Sequence, residues 1–154
     1  MSTVLKFVLA AALVIPALAI APRFTHSVVD AACGVGIYRI YYDSPGTDTG
    51  ANKSLNAEWI QLRNSCAKGK SLSGWTIKDA AGARYRFGTY TLSAGGKVKV
   101  HTGKGSNTST DRYWGKSWYV WNNTGKETAK LRNSAGTVID SCSYTGSSAA
   151  NVYC

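Results

Sequence analysis

The chain has 154 residues, with 18 Lys and Arg against 8 Asp and Glu, a formal net charge of +10. That length gives one domain as the expectation, and 17% charged residues beside 44% hydrophobic ones exclude an intrinsically disordered chain. Sixteen glycines, nine tyrosines and five tryptophans beside a single methionine favour short strands and turns over long helices.

The N-terminus reads as an export signal. Lys6 gives the positive start, and residues 7–20 form an apolar stretch interrupted by Pro16. Ala17-Leu18-Ala19 is a small-x-small cleavage signal. Ala21 and Ala31 offer alternative cleavage points. A retained membrane anchor is the competing reading, but the uninterrupted run falls short of the roughly 20 residues a spanning helix needs. The expected organisation is a signal peptide over 1–21, a spacer over 22–32 and one folded domain over 33–154. That domain would be secreted, with no integral membrane span after cleavage. Asp30 stands where a lipobox ahead of Cys33 would need an apolar residue, so lipidation is not expected.

From residue 34 the pattern is all-β. Residues 35–42 alternate and are rich in Val, Ile and Tyr. Residues 44–55 carry Pro45, Gly46 and Gly50 and read as loop. Residues 57–63 alternate again, with Glu58, Ile60 and Leu62 sharing one face. A strand is expected over 72–77, opening with Leu72-Ser73-Gly74-Trp75, where Trp75 belongs to the core. Residues 79–82 form a turn, 84–87 a short strand, and 89–92 lead into the turn at 93–96. Residues 97–101 alternate strictly, with Val98 and Val100 inward and Lys97, Lys99 and His101 outward. Residues 103–110 are a polar loop. The aromatic segment 114–121 is read as a strand with Trp118 and Val120 facing one way and Tyr119 and Trp121 the other. Residues 127–131 and 137–143 are strands around the turn at 133–136. Short strands at this spacing make a sandwich or a barrel.

Several blocks stand in order over most of 35–144: IYRIYYDSPGTD (37–48), NAEWIQLRN (56–64), LSGWTIKD (72–79), VKVHTGKG (98–105), YWGKSWYVWNNTG (113–125) and TAKLRNSAGTVIDSCSY (128–144). Together they resemble a lamin tail domain, especially the short secreted versions found in actinobacteria. One departure is visible: Lys126-Glu127 stand between Gly125 and Thr128, where the family usually has a single Asp. The resemblance implies an immunoglobulin-like β-sandwich with no catalytic activity. In the family such a domain is an accessory module that contacts proteins and DNA or accompanies hydrolases.

Four cysteines in a small exported chain point to disulfides, and three pairings are possible. Strands 35–42 and 57–63 are joined by one loop and should run antiparallel, so opposed residues share a constant index sum. Cys33 and Cys66 fit one register with Tyr42 and Ala57, which places them within bridging reach. Cys33–Cys66 with Cys142–Cys154 is the expected pairing; Cys66–Cys142 with Cys33–Cys154 is the rival. The spacing has no Cys-x2–4-Cys pair and does not suit zinc.

The catalytic candidates are weak. His101 is the one histidine of the folded domain, no Gly-x-Ser-x-Gly elbow is present, and the acids are scattered singly. Asp43 and Asp48 share a loop without the acidic density of a calcium site. A hydrolase is therefore the weakest reading, and no metal or cofactor is expected.

Residues 33–154 hold 16 Lys and Arg and 7 Asp and Glu, a difference of +9. Such a charge attracts nucleic acid, anionic headgroups or acidic cell-wall polymers. The cations come singly or in loose pairs, so a merely solvated surface is the alternative. The segment 112–121 packs Tyr113, Trp114, Trp118, Tyr119 and Trp121 with Arg112 and Lys116 into ten residues. Exposed aromatics beside cations can stack bases or sugars, which makes these seven residues the candidate binding surface. The competing role for Trp114 and Trp121 is to pin loops over the ends of the sandwich. The function expected is a secreted, non-catalytic module for extracellular polyanions or a cell-surface partner; the alternative is a protein-interaction domain with incidental charge.

Overall fold

The computed structural model describes residues 33–154, so the signal peptide and spacer expected over 1–32 lie outside the described residues. Eleven strands and one helical turn follow in chain order. They are β1 (Val35–Tyr41), α1 (Asn52–Leu55), β2 (Trp59–Asn64), β3 (Lys70–Ser71), β4 (Thr76–Lys78), β5 (Arg84–Arg86), β6 (Thr91–Leu92), β7 (Lys97–His101), β8 (Asp111–Tyr113), β9 (Lys126–Arg132), β10 (Val138–Thr145) and β11 (Asn151–Tyr153). The first sheet has the order β11-β1-β2-β7-β8 and the second β10-β9-β4-β5, while β3 pairs with β6 separately. Only the β7–β8 pairing is parallel among the described strands.

The period-2 patterns explain the layering. Ile40, Ile60, Leu62, Val98 and Val100 line the inner face of the first sheet, and Ile77, Ala129 and Leu131 that of the second; all eight are fully buried in one core cluster. Trp75 belongs to the same cluster at 7% exposure. The result is an all-β, immunoglobulin-like sandwich.

The register of β1 with β2 places both ends. Val35, Gly36 and Ile37 face Asn64, Arg63 and Leu62, and Cys33 bonds Cys66 just beyond, with Cα atoms 4.8 Å apart. A bulge at Tyr38 then shifts the pairing by one, so Arg39 faces Gln61 and Tyr41 faces Trp59. An extra residue at a bulge leaves two successive side chains off the inner face; Tyr38 and Arg39 are both half-buried while Ile37 and Ile40 point inward. Cys142 of β10 bonds Cys154 beyond β11, so this bridge links the two sheets.

Three sequence expectations need correction, and one strand was not expected. Residues 72–75 form a turn, not the start of a strand: the Trp75 N–H donates to the Leu72 carbonyl at 2.9 Å, and Gly74 sits at φ +79°, where a Cβ would lie 3.3 Å from Ser134 Cβ. Residues 114–121 are not a strand, because the Val120 and Trp121 N–H groups donate to the Glu58 carboxylate instead of a neighbouring ladder. The loop at 44–55 contains the single turn α1, too short to show a period. The tail forms β11, whose Asn151, Val152 and Tyr153 pair with Tyr41, Ile40 and Arg39.

Candidate functional site

The outer face of the second sheet follows from the alternation of its strands. Glu127, Ala129 and Leu131 point inward, so Lys126, Thr128, Lys130 and Arg132 point out. The same logic puts Thr76 and Lys78 of β4, and Arg84 and Arg86 of β5, on the outside. Strand pairing then aligns Ser141, Lys130, Lys78 and Arg84 in one cross-strand row. The next row holds Val138, Arg132, Thr76 and Arg86. Adjacent strands lie about 4.8 Å apart, so three cations stand side by side.

This face carries six cations in all: Lys78, Arg84, Arg86, Lys126, Lys130 and Arg132. The acids on its strands are turned to other work. Glu127 is buried and accepts the Ala80 and Thr128 N–H groups at 2.9 and 2.8 Å and the Asn122 amide at 2.7 Å. Asp140 accepts the N–H groups of Ile37 and Ser141. Among the described residues the one ion pair is His101–Asp111, so none of these six cations is matched by a carboxylate. Like charges directly opposite each other destabilise a sheet. The Lys130–Lys78 and Lys78–Arg84 pairs are therefore a standing cost to the fold that an anion lying across the row would remove.

The outer face of the first sheet has a different texture. One row runs Tyr153, Arg39, Gln61, Lys99 and Asp111, the next Asn151, Tyr41, Trp59, His101 and Tyr113, and Arg63 faces Lys97. Its cations lie on rings. Arg39 stands over Tyr153 at 4.7 Å and Trp59 at 5.6 Å, Lys99 over Trp59 at 4.5 Å, and Lys97 over Tyr38 at 3.8 Å. His101 places Nε2 2.9 Å from Asp111 and Nδ1 2.7 Å from the Asn56 carbonyl, so neither ring nitrogen is open to a nucleophilic serine. Hydrogen bonds from His101 and then Thr110 hold the Asp111 carboxyl below the usual range.

The aromatic segment is dispersed. Arg112 lies level with inward-facing Val100 and stacks over the Tyr90 ring at 4.0 Å. Tyr113 stacks on His101 on the outer face. Trp114 packs against the core and its Nε1–H donates to the Arg84 carbonyl at 3.1 Å. The Lys116 N–H donates to the Thr102 carbonyl. Trp118 is 63% exposed and lies over Gly50, where a Cβ would approach its ring to 2.8 Å. The Tyr119 hydroxyl is 2.6 Å from that of Ser54. Trp121 is 1% exposed and is a core residue. The seven residues do not share one surface, and the strand alternation expected for 118–121 fails because Val120 and Trp121 are both buried.

Glu58 anchors this segment. Its carboxylate is fully buried; Oε1 accepts the Thr102 hydroxyl at 2.5 Å and the Val120 N–H at 2.9 Å, and Oε2 accepts the Trp121 N–H at 3.3 Å. No cation pairs with it, and burial pushes its carboxyl up to about 7 despite those donors. A lone acid on the same alternating face as apolar Ile60 and Leu62 was its sequence signal. The Asp43 and Asp48 carboxylates both accept from the Asn123 amide at 3.0 Å. Among the described residues no three His, Cys, Asp or Glu side chains come together as a metal site.

A family model for the lamin tail domain matches residues 29–146. The chain belongs to this family. No curated protein matches it. Within this lamin tail domain the match stops before β11, so the strand added beside β1 and its bridge from Cys154 to Cys142 lie beyond the matched region. The cationic rows escaped sequence reading because β9 is far from the β4–β5 hairpin in the chain, and only its pairing with β4 brings Lys130 into line with Lys78 and Arg84.

Proposed function

We propose that this lamin tail domain is a secreted, non-catalytic module that binds phosphate-bearing polyanions, DNA or an acidic wall polymer, through the outer face of its second sheet. The observation that carries the reading is the row Lys130–Lys78–Arg84, three opposed cations with no carboxylate partner. Neutralising phosphates at such a row releases counterions and gives binding without sequence preference. The hydroxyls of Thr76, Thr128, Ser141 and Ser143 lie on the same face and add donors for phosphate oxygens. The two disulfides suit an oxidising compartment, and no helix among the described residues is long and apolar enough to cross a membrane. A second reading, docking of a protein partner, is favoured by Trp118, which stands 63% exposed on the loop after β8.

Replacing Lys78, Arg84 and Lys130 together by Gln tests the first reading. Retention is measured on duplex DNA and on poly(glycerol phosphate), and the polymer that retains the wild-type domain names the source of the phosphate. The triple variant should bind that polymer at least about tenfold more weakly at low salt. Unchanged binding would remove this face. Binding lost only on Trp118→Ala and indifferent to salt would establish the second reading in its place.

A further inference from the structure

The sandwich presents cations on both of its outer faces, and these faces point in opposite directions. We propose that one molecule bridges two separate polyanion chains, one on each sheet, so that the domain cross-links what it binds. The inference rests on the polyanion reading above and extends it to the first sheet.

Arg39, Arg63, Lys97 and Lys99 stand on that sheet's outer side, and none forms an ion pair. The rings beneath them matter. Tyr38, Trp59 and Tyr153 sit under the charged heads at 3.8–5.6 Å and support them at the surface. A ring already covered by a cation is not a free platform for a base, so this face offers charge, not base stacking. The only acid in its rows, Asp111, is on the edge strand β8 and already accepts from Thr110 at 2.7 Å and engages His101 at 2.9 Å. Both faces therefore suit the same kind of ligand, an anionic backbone without sequence information.

One stiff chain cannot occupy both. The packed sheets are about 10 Å apart, whereas duplex DNA stays straight over about 150 bp. It cannot turn around the edge of the domain to touch the opposite face. Two occupied faces then mean two duplexes. Capture must also pass through a maximum: once protein is in excess, each duplex is coated by its own molecules and the bridges dissolve.

The experiment uses the folded domain and two duplexes of about 100 bp, below the persistence length. One duplex is fixed to beads and the other is free and fluorescent. Protein is titrated, and the captured fluorescence is read beside a gel shift of the free duplex. The first-face variant is Arg63→Gln with Lys97→Gln and Lys99→Gln, leaving Arg39 among its rings; the second-face variant is Lys78→Gln with Arg84→Gln and Lys130→Gln. Wild type should capture the free duplex, reach a maximum and then release it. Each variant should still shift the duplex through its intact face, the second-face variant at about tenfold higher protein, yet at protein concentrations that give an equal shift it should capture about tenfold less. Capture undiminished in either variant would overturn bridging. A wild-type shift without capture would overturn bridging and leave the binding reading standing, and no shift at all would defeat both.

Discussion

Glu58→Gln isolates the buried carboxylate that holds the aromatic loop. The wild-type group accepts the Thr102 hydroxyl and the Val120 and Trp121 N–H groups. Glutamine keeps the shape and one carbonyl oxygen, enough for Thr102 and Val120. Its amide nitrogen then faces the Trp121 N–H, and a buried donor left unpaired costs about 1–3 kcal/mol. The wild type bears a different cost, which depends on pH. Burial raises Glu58 from an ordinary 4.5 to about 7, so between these values the folded chain keeps a proton that the unfolded chain has released. Stability therefore falls as pH rises through this window, by about 3 kcal/mol at 1.36 kcal/mol per unit. Glutamine does not titrate and removes that slope. Guanidinium denaturation followed by tryptophan fluorescence, run on both proteins from pH 4.5 to 8, reads the difference and cancels the other titrating groups. Glu58→Gln should be the less stable protein at pH 5, and the gap should close or reverse by pH 8. Parallel curves across the whole range would refute the reasoning.

Other perturbations follow from the same packing. Trp75→Ala should cost about 3–5 kcal/mol as a large-to-small change in the core; a melting temperature lower by only about a degree or two would mean Trp75 is not held there. Removing the Cys33–Cys66 bridge, which spans a sequence separation of 33, should cost about 3–4 kcal/mol in a denaturant titration on the chain-entropy estimate. Removing Cys142–Cys154 should cost less and should deprotect the amides of β11 first in hydrogen exchange; loss of protection spread evenly over β1 and β2 would count against a local role. Lys116→Ala should reduce the salt slope of polyanion binding by no more than about one, the share of a single charge; a larger drop would return the aromatic segment to the binding surface.

The strands were legible where alternation was strict. Lys97 to His101 read correctly, with two buried valines between outward polar residues, and the index sum that aligned Cys33 with Cys66 holds on their side of the bulge. Chemistry that depends on distant pairing was not legible. The aromatic run 112–121 looked like a surface because its residue types were dense, but Glu58, more than fifty positions away, takes its backbone donors and turns Trp121 into the core. The cationic rows are the converse case. Lys78, Arg84 and Lys130 look like isolated surface charges in the chain, and only the antiparallel pairing of β9, β4 and β5 sets them side by side. β11 was missed because three residues after a Gly- and Ser-rich stretch carry too little pattern to announce a strand.

The most direct test is the dependence of duplex affinity on salt for the wild-type domain and for the variant with Lys78, Arg84 and Lys130 all changed to Gln. Six unpaired cations on the second face allow a slope of log K against log salt near about −5, and loss of three should flatten it by about 3. The variant should also melt no lower than wild type, since it relieves like-charge contacts across the sheet. A wild-type slope near zero, or an identical slope in the variant, would contradict the assignment of this face to polyanion binding.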